Sequence, residues 1–249
     1  MSELIPLPES LVPFLESYLP NESNTNHPNR PFVTLTYAQS LDSRISAKPG
    51  TQTKISHMET KTMTHYLRTR HDGILVGIGT ILADDPKLTC RFPNCKSQPR
   101  PIIIDPNAKW KYQYSTLAGL CRADDNVLAP FIIVDESATI DSGSYDCVVK
   151  QGGKYIRLPL RGNSSNWLDI LDILKQEGIK SVMIEGGARV INDLLDFNQV
   201  TNIIDSLIIT IAPVFLGNEG VEVSPGGRVD VQNVTWWQGI QDTVLCGRP

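Results

Sequence analysis

Four short apolar runs constrain this 249-residue chain most: Gly73-Ile74-Leu75-Val76, Arg100-Pro101-Ile102-Ile103-Ile104-Asp105, Phe131-Ile132-Ile133-Val134-Asp135 and Ser181-Val182-Met183-Ile184-Glu185. Each lacks the alternation of a half-exposed strand and ends at a glycine or a carboxylate, which reads as a strand buried on both faces. Helical stretches separate them. Strands of this kind alternating with helices predict an α/β fold with a mostly parallel central sheet flanked by helices on both sides.

The remaining chain fits around that sheet. Glu9–Leu19 carries apolar residues at Leu11, Val12, Phe14, Leu15 and Leu19, a short amphipathic helix that Pro20 stops. Asn21–Arg30, rich in Asn, Ser, Thr and Pro, reads as a linker, so residues 1–29 form an extension and 30–249 the main domain. Phe32–Ala38 is a strand that ends at Ser40-Leu41-Asp42, and Ser46–Lys54 is a flexible loop able to cover a ligand. Ser56-x-x-Glu59 reads as a capping box opening a helix to about Arg70, with Met63, Tyr66 and Leu67 inward. Cys147-Val148-Val149 reads as a weak strand. Lys150–Asn166 is mostly loop with a short strand at Tyr155–Leu158, and Asn166 caps a helix through Glu177. Asp205–Ile211 and Gln241–Cys246 are strands expected to pair antiparallel at the sheet edge, with the loop Pro213–Gly227 between them. Trp236 and Trp237 are expected to cover core or a subunit contact.

Composition excludes several classes. The net charge is -4, and the 23 Lys and Arg are scattered, so neither nucleic acid nor an acidic membrane is an expected partner. The five cysteines form no C-x-x-C, and His27, His57, His65 and His71 show no metal-ligand spacing; no metal is expected, and the histidines read as structural or solvated. A serine nucleophile elbow, a Walker loop and the zinc-deaminase signature are all missing. The first residues carry no basic-then-apolar signal and no run reaches membrane-spanning length, so a cytoplasmic protein with reduced thiols is expected.

Two glycine turns carry the chemistry. Gly77-Ile78-Gly79 ends the Gly73 strand, and Thr80 and Asp84 follow four residues apart, one helical turn that places both side chains together. Thr80 equally suits a plain helix cap. Glu185-Gly186-Gly187 ends the Ser181 strand, and a helix follows over Ala188–Asp196, the arrangement that aims amides and a helix dipole at a phosphate; a tight connection with glycines for steric reasons is the other reading. Arg68, at the end of the preceding helix, suits either the macrodipole or a phosphate. Arg189 suits a cofactor 2′-phosphate or a helix surface.

Taken in order, Ala38-Gln39-Ser40-Leu41-Asp42, His65-Tyr66-Leu67-Arg68, Asp72–Arg91 and Glu185-Gly186-Gly187 resemble the riboflavin-biosynthesis reductases, over roughly Arg30–Cys246. The tail, with Val221-Glu222-Val223-Ser224-Pro225, Thr235-Trp236-Trp237-Gln238-Gly239-Ile240 and Asp242-Thr243-Val244-Leu245-Cys246, is similar to the stand-alone fungal branch. The resemblance implies a dihydrofolate-reductase-like fold with an antiparallel C-terminal edge, a reductase domain over 30–249, NADPH as cofactor and a homodimer. It implies a small-molecule substrate, a diamino-ribosylamino-pyrimidinone 5′-phosphate, whose ribosylamine opens to an imine that takes a hydride at C1′. By the same resemblance Thr80, Asp84, Gly186, Gly187, Ala188, Arg189 and Val190 bind cofactor, and Arg68, Leu88, Arg91 and Glu185 hold substrate. Asp84 and Glu185 are the implied catalytic carboxylates. Gln52-Thr53-Lys54-Ile55-Ser56 departs from the S-x-W-I-T of bacterial relatives, so no contact is carried over there. A pterin reductase of the same fold and a non-catalytic nucleotide-binding protein remain alternatives at this point.

Overall fold

The computed structural model describes residues 4–160 and 166–249; the end of the loop expected before Asn166 lies outside the described residues. Its elements run α1 (Leu11–Glu16), β1 (Phe32–Gln39), β2 (Arg44–Ser46), α2 (Met58–Arg68), β3 (Gly73–Gly77), α3 (Ile78–Asp84) and β4 (Arg100–Ile104). After a 3-10 turn at Tyr112–Tyr114 come α4 (Thr116–Ala123), β5 (Phe131–Asp135), α5 (Ser142–Lys150), β6 (Lys154–Leu158), α6 (Asn166–Gln176), β7 (Ser181–Gly186) and α7 (Ala188–Thr201). The chain closes with β8 (Ser206–Ile211), β9 (Val221–Glu222), β10 (Gln232–Gln238) and β11 (Thr243–Arg248).

The nine-stranded sheet has the order β10-β11-β8-β1-β7-β3-β4-β5-β6. From β8 to β6 every pairing is parallel, while β11 runs antiparallel to both β8 and β10. The expected antiparallel partnership of the last strand with the strand ending at Ile211 is present. The four apolar runs occupy β3, β4, β5 and β7, and Leu75, Ile102, Ile133 and Val182 are fully buried.

Alternate residues feed opposite cores. Val182 and Ile184 pack with α6 and α7, through Leu171, Leu174, Ile191 and Leu194. Met183, one step out of phase, packs with Met63 and Leu67 of α2 and with Leu11, Leu15 and Leu19. The amino-terminal helix therefore lies on the sheet and shares its core. Ile74, Val76, Ile103 and Ile132 meet Leu117 and Val148 of α4 and α5.

Three local expectations are corrected. Cys147-Val148-Val149 is helix: the Asp141 carboxylate accepts the Ser144 amide at 3.0 Å and starts α5, which buries Ser144 and Val148 at helical spacing and leaves Val149 exposed. Ser56 does not cap α2. His57 does, its Nδ1 accepting the Glu59 amide at 3.4 Å, while the buried Glu59 carboxylate accepts the Ile240 amide at 2.5 Å and docks the helix on the turn before β11. The region after Ile211 also holds more strand than expected. Its segment β9 pairs with β2, and Trp236 sits in β10, a largely exposed edge strand with no apolar alternation to signal it.

Candidate active site

The carboxyl ends of β1, β7, β3 and β4 lie on one edge of the sheet. Chain order reverses there, since β7 is inserted between β1 and β3, and α/β sheets bind ligands in the crevice at such a switch point. A cleft of about 720 Å³ opens at this edge. Its walls are the start of α3, the turn after β4 at Pro106 and Asn107, the start of α7, Trp167 and Ile170 of α6, and the loop Ser46–Thr53. That loop is tied to itself: Ser46 Oγ donates to Thr51 O at 2.6 Å and Thr53 Oγ1 accepts the Ala47 amide at 2.9 Å.

The turn expected at Gly77-Ile78-Gly79 is the first turn of α3 itself. Gly77 is its cap residue, so Thr80 is helical and does not cap. Thr80 and Asp84 share one face and both line the cleft. Asp85, in a left-handed conformation at φ 39°, ends the helix and accepts the Thr116 amide at 3.0 Å. The two adjacent carboxylates thus divide: Asp85 braces α4, and Asp84 faces the cleft. Burial pushes the Asp84 carboxyl above its usual pKa, and its Oδ1 is buried without a hydrogen-bond partner among the described residues.

Opposite stands the amino end of α7. Gly187 caps it at φ 52°, and among the described residues no side-chain cap satisfies its first amides, which belong to Ala188, Arg189 and Val190. A Cβ on Gly187 would lie 3.2 Å from Thr80 Oγ1, and one on Gly186, at φ 107°, 2.9 Å from Ile191 Cδ1. Only glycine combines that backbone with that approach. Ala188, Arg189 and Val190 line the cleft, with Arg189 exposed and 3.7 Å from Asp193.

The residues expected to hold substrate gather on the other side of β7, facing α2. Leu75 pairs with Ile184 and Val76 with Gly186, so Glu185 is the extra residue of a bulge beside β3, and its side chain follows Met183 toward α2. There Arg68 meets it two-pronged: Nε donates to Oε1 at 2.8 Å and Nη2 to Oε2 at 2.7 Å, while Nη1 donates to Thr89 O at 2.8 Å. Burial opposes the charge of Arg68, and the Glu185 carboxylate outweighs it, so the guanidinium pKa sits above its ordinary value. Leu88 is buried at φ 50° and turns the chain toward Arg91. Neither Arg68, Leu88, Arg91 nor Glu185 lines the cleft wall.

His65 belongs to this cluster, although its sequence context suggested a structural or solvated role. It is buried, its Nδ1 lies 3.1 Å from the Arg91 amide and its Nε2 2.9 Å from Arg91 Nη2. Burial, then Arg68, Arg91 and Lys61, push its pKa down to about 3. The available signal was its place three residues before Arg68 on one helix face. The other histidines are structural: His71 is held between Thr34 and Leu67, His57 caps α2, and His27 meets Asp205 at 3.2 Å. Asp42, at the end of β1, accepts Ser40 Oγ and the Leu216 and Gly217 amides, which hold its pKa at about 2 and make it a loop anchor.

A mostly parallel sheet whose switch point carries a cleft walled by uncapped helix amides defines a nucleotide-cofactor-binding α/β protein. Comparison narrows this class. The chain matches the RibD C-terminal domain over residues 31–245. It is 60% identical to the 2,5-diamino-6-ribosylamino-4(3H)-pyrimidinone 5′-phosphate reductase of Debaryomyces hansenii and 47% identical to that of Saccharomyces cerevisiae, covering 98% of both chains in each case. The solved structure of the Saccharomyces cerevisiae riboflavin biosynthesis reductase Rib7 superposes with a TM-score of 0.80 at 45% identity, over 96% of this chain and 99% of that one. The chain belongs to the RibD C-terminal domain family, as a reductase enzyme of riboflavin biosynthesis, and membership implies a nicotinamide cofactor.

Proposed function

We propose that this protein uses NADPH to reduce the ribosyl group of 2,5-diamino-6-ribosylamino-4(3H)-pyrimidinone 5′-phosphate to the ribitylamine. One observation carries the reading: Thr80 and Asp84 face the uncapped amides of α7 across a single cleft, with a guanidinium and carboxylate cluster immediately behind β7. The residues fit a dinucleotide. Amides of Ala188, Arg189 and Val190 suit a pyrophosphate, the missing Cβ of Gly187 leaves the cradle open, and the unpartnered Asp84 Oδ1 suits a hydroxyl or amide donor of the cofactor.

When bound, the cofactor supplies the hydride. The protein's part is placement and exclusion of water. Arg91 pairs with the substrate phosphate, where a guanidinium makes charge-assisted hydrogen bonds. Arg68 fixes Glu185, and each carboxylate oxygen keeps a second lone pair for an amino group of the diaminopyrimidine. Asp84, its pKa raised by burial, is a carboxylate of the cleft that takes a proton more readily than a free aspartate does. The loop Ser46–Thr53 covers the cofactor side and excludes water there.

A homodimer formed through the exposed edge is supported by Trp236, 58% exposed, and Ile240, 74% exposed. The five free cysteines support a cytoplasmic setting, and no helix among the described residues is long and apolar enough to cross a membrane. The test is NADPH oxidation by the purified protein with this substrate. Turnover that falls at least tenfold in Thr80→Ala and Asp84→Ala, with folding intact, is the expected result. Cofactor binding without oxidation overturns the reading.

A further inference from the structure

Beside Glu185, between α2 and the sheet, stands a threonine that the site described above does not use. β1 and β7 run parallel with Leu35 paired to Ile184, so the next residue on each strand, Thr36 and Glu185, stand side by side with their backbones about 5 Å apart. Side chains alternate faces along a strand, and the neighbours of Thr36 fix its face. Leu35 packs with the α6 and α7 core. Thr34, two residues before Thr36, points the other way and meets His71 just past the end of α2, its Oγ1 2.8 Å from Nε2. Ile208, level with Thr36 on β8, belongs to the core that Met63 and Leu67 of α2 form with the sheet. The Thr36 side chain therefore faces α2, as the Glu185 carboxylate does.

Thr36 is 6% exposed, and among the described residues its hydroxyl makes no hydrogen bond. Burying a hydroxyl without a partner is unfavourable, and valine fills nearly the same volume without that cost. Thr34 shows the contrast, since its hydroxyl is answered within the protein. A partner from outside the protein accounts for the hydroxyl of Thr36. The way in from the strand end is not blocked, because Ala38, the next residue on that face, is small and half-buried. The substrate offers the matching groups. In a 2,5-diamino-4(3H)-pyrimidinone each amino group neighbours a ring acceptor, the 5-amino group beside the 4-oxo oxygen and the 2-amino group beside N1. An ionised carboxylate only accepts, whereas a hydroxyl donates. A carboxylate next to a hydroxyl thus matches an amino group next to an acceptor, and neither side chain does so alone.

We propose that Thr36 is a further substrate-contact residue: its hydroxyl donates to the ring acceptor adjacent to the amino group that Glu185 accepts, and the two together fix the orientation of the pyrimidine. This rests on the reading of Glu185 as a substrate contact. Thr36 does not line the cofactor cleft, so its effect falls on the substrate and not on NADPH.

Two variants separate a ligand contact from packing. Thr36→Val removes the donor and keeps the shape; Thr36→Ser keeps the donor. Each is melted without ligands, and steady-state kinetics give the KM for substrate and for NADPH. The expected result for Thr36→Val is a roughly tenfold rise in substrate KM with the NADPH KM within about twofold of wild type. Its melting temperature is expected to be no lower than that of the wild type, because the ligand-free fold loses no hydrogen bond. Thr36→Ser is expected to keep the substrate KM within about threefold of wild type. A substrate KM that rises less than about threefold in Thr36→Val overturns the proposal, as does a Thr36→Ser variant as impaired as Thr36→Val. A NADPH KM that rises in parallel, or a Thr36→Val variant that melts lower than wild type, shows a structural hydroxyl and overturns it too. The double variant Arg68→Met with Glu185→Met, which removes the carboxylate without stranding a charge, is run beside them. If it leaves the substrate KM unchanged, the reading of Glu185 fails; if it raises that KM while Thr36→Val does not, only the role of Thr36 fails. No oxidation of NADPH by the wild type with this substrate is the separate failure of the proposed function.

Discussion

Arg68→Met leaves the Glu185 carboxylate facing a methyl group. The wild-type pair is two-pronged, with side chains only 13% and 18% exposed, so the variant strands a carboxylate largely removed from water and also frees Thr89 O. Removing one partner of a fully buried pair costs about 3–5 kcal/mol; the residual exposure here lets water solvate part of the charge, which brings the expected loss to about 2–3 kcal/mol. For a domain of this size that is a fall in melting temperature of roughly 4–12 °C. Replacing both members, Arg68→Met with Glu185→Met, removes the stranded charge, and such replacements by apolar residues of similar volume are often neutral. The double variant is therefore expected within about 1 kcal/mol of wild type, a coupling of about 1–3 kcal/mol between neighbours. Urea unfolding of the protein without ligands measures all three. A double variant as unstable as the two single losses added together refutes the claim that the pair is a closed, mutually dependent unit.

Three further outcomes follow from the site. Gly187→Ala forces a side chain onto a backbone at φ 52° and into Thr80, so the NADPH KM is expected to rise at least tenfold while the fold persists, as circular dichroism and kinetics check. Asp84→Asn removes a carboxylate whose charged form is disfavoured by burial; because the folded pKa is raised, the wild type loses stability as pH climbs through it, so the variant is expected to melt higher near neutrality, to lose that advantage below about pH 4, and to bind cofactor more weakly. His71, buried against Thr34 and Leu67 with its pKa pushed down to about 4, stays neutral in the fold while the unfolded chain takes a proton near pH 6.5, so stability is expected to fall between those values, by up to about 3 kcal/mol, and His71→Gln is expected to flatten that slope in pH-dependent unfolding.

The strands were legible because burial on both faces writes a continuous apolar run, and β3, β4, β5 and β7 all show one. The paired glycines before α7 were legible for the same kind of reason, since only glycine supports φ 107° and φ 52° in succession. The edge strand β10 was not, although β6 at the opposite edge was: β10 is stabilised by its ladder to β11 and leaves Val234 and Trp236 in solvent. Caps were misread where a long-range partner took over, as when Glu59 turned to the Ile240 amide 181 positions away. The pairing of Arg68 with Glu185, separated by 117 positions, and of His65 with Arg91 depends on how α2 lies across β7, which no local spacing encodes.

The central claim is hydride delivery from NADPH to the ribosyl carbon, and label transfer tests it most directly. The protein is given NADPH deuterated at the transferable position together with 2,5-diamino-6-ribosylamino-4(3H)-pyrimidinone 5′-phosphate, and the product is read by mass spectrometry and NMR. One deuterium at C1′ of a ribitylamino product is the expected result. NADPH bound but not consumed, or a product without the label, contradicts it.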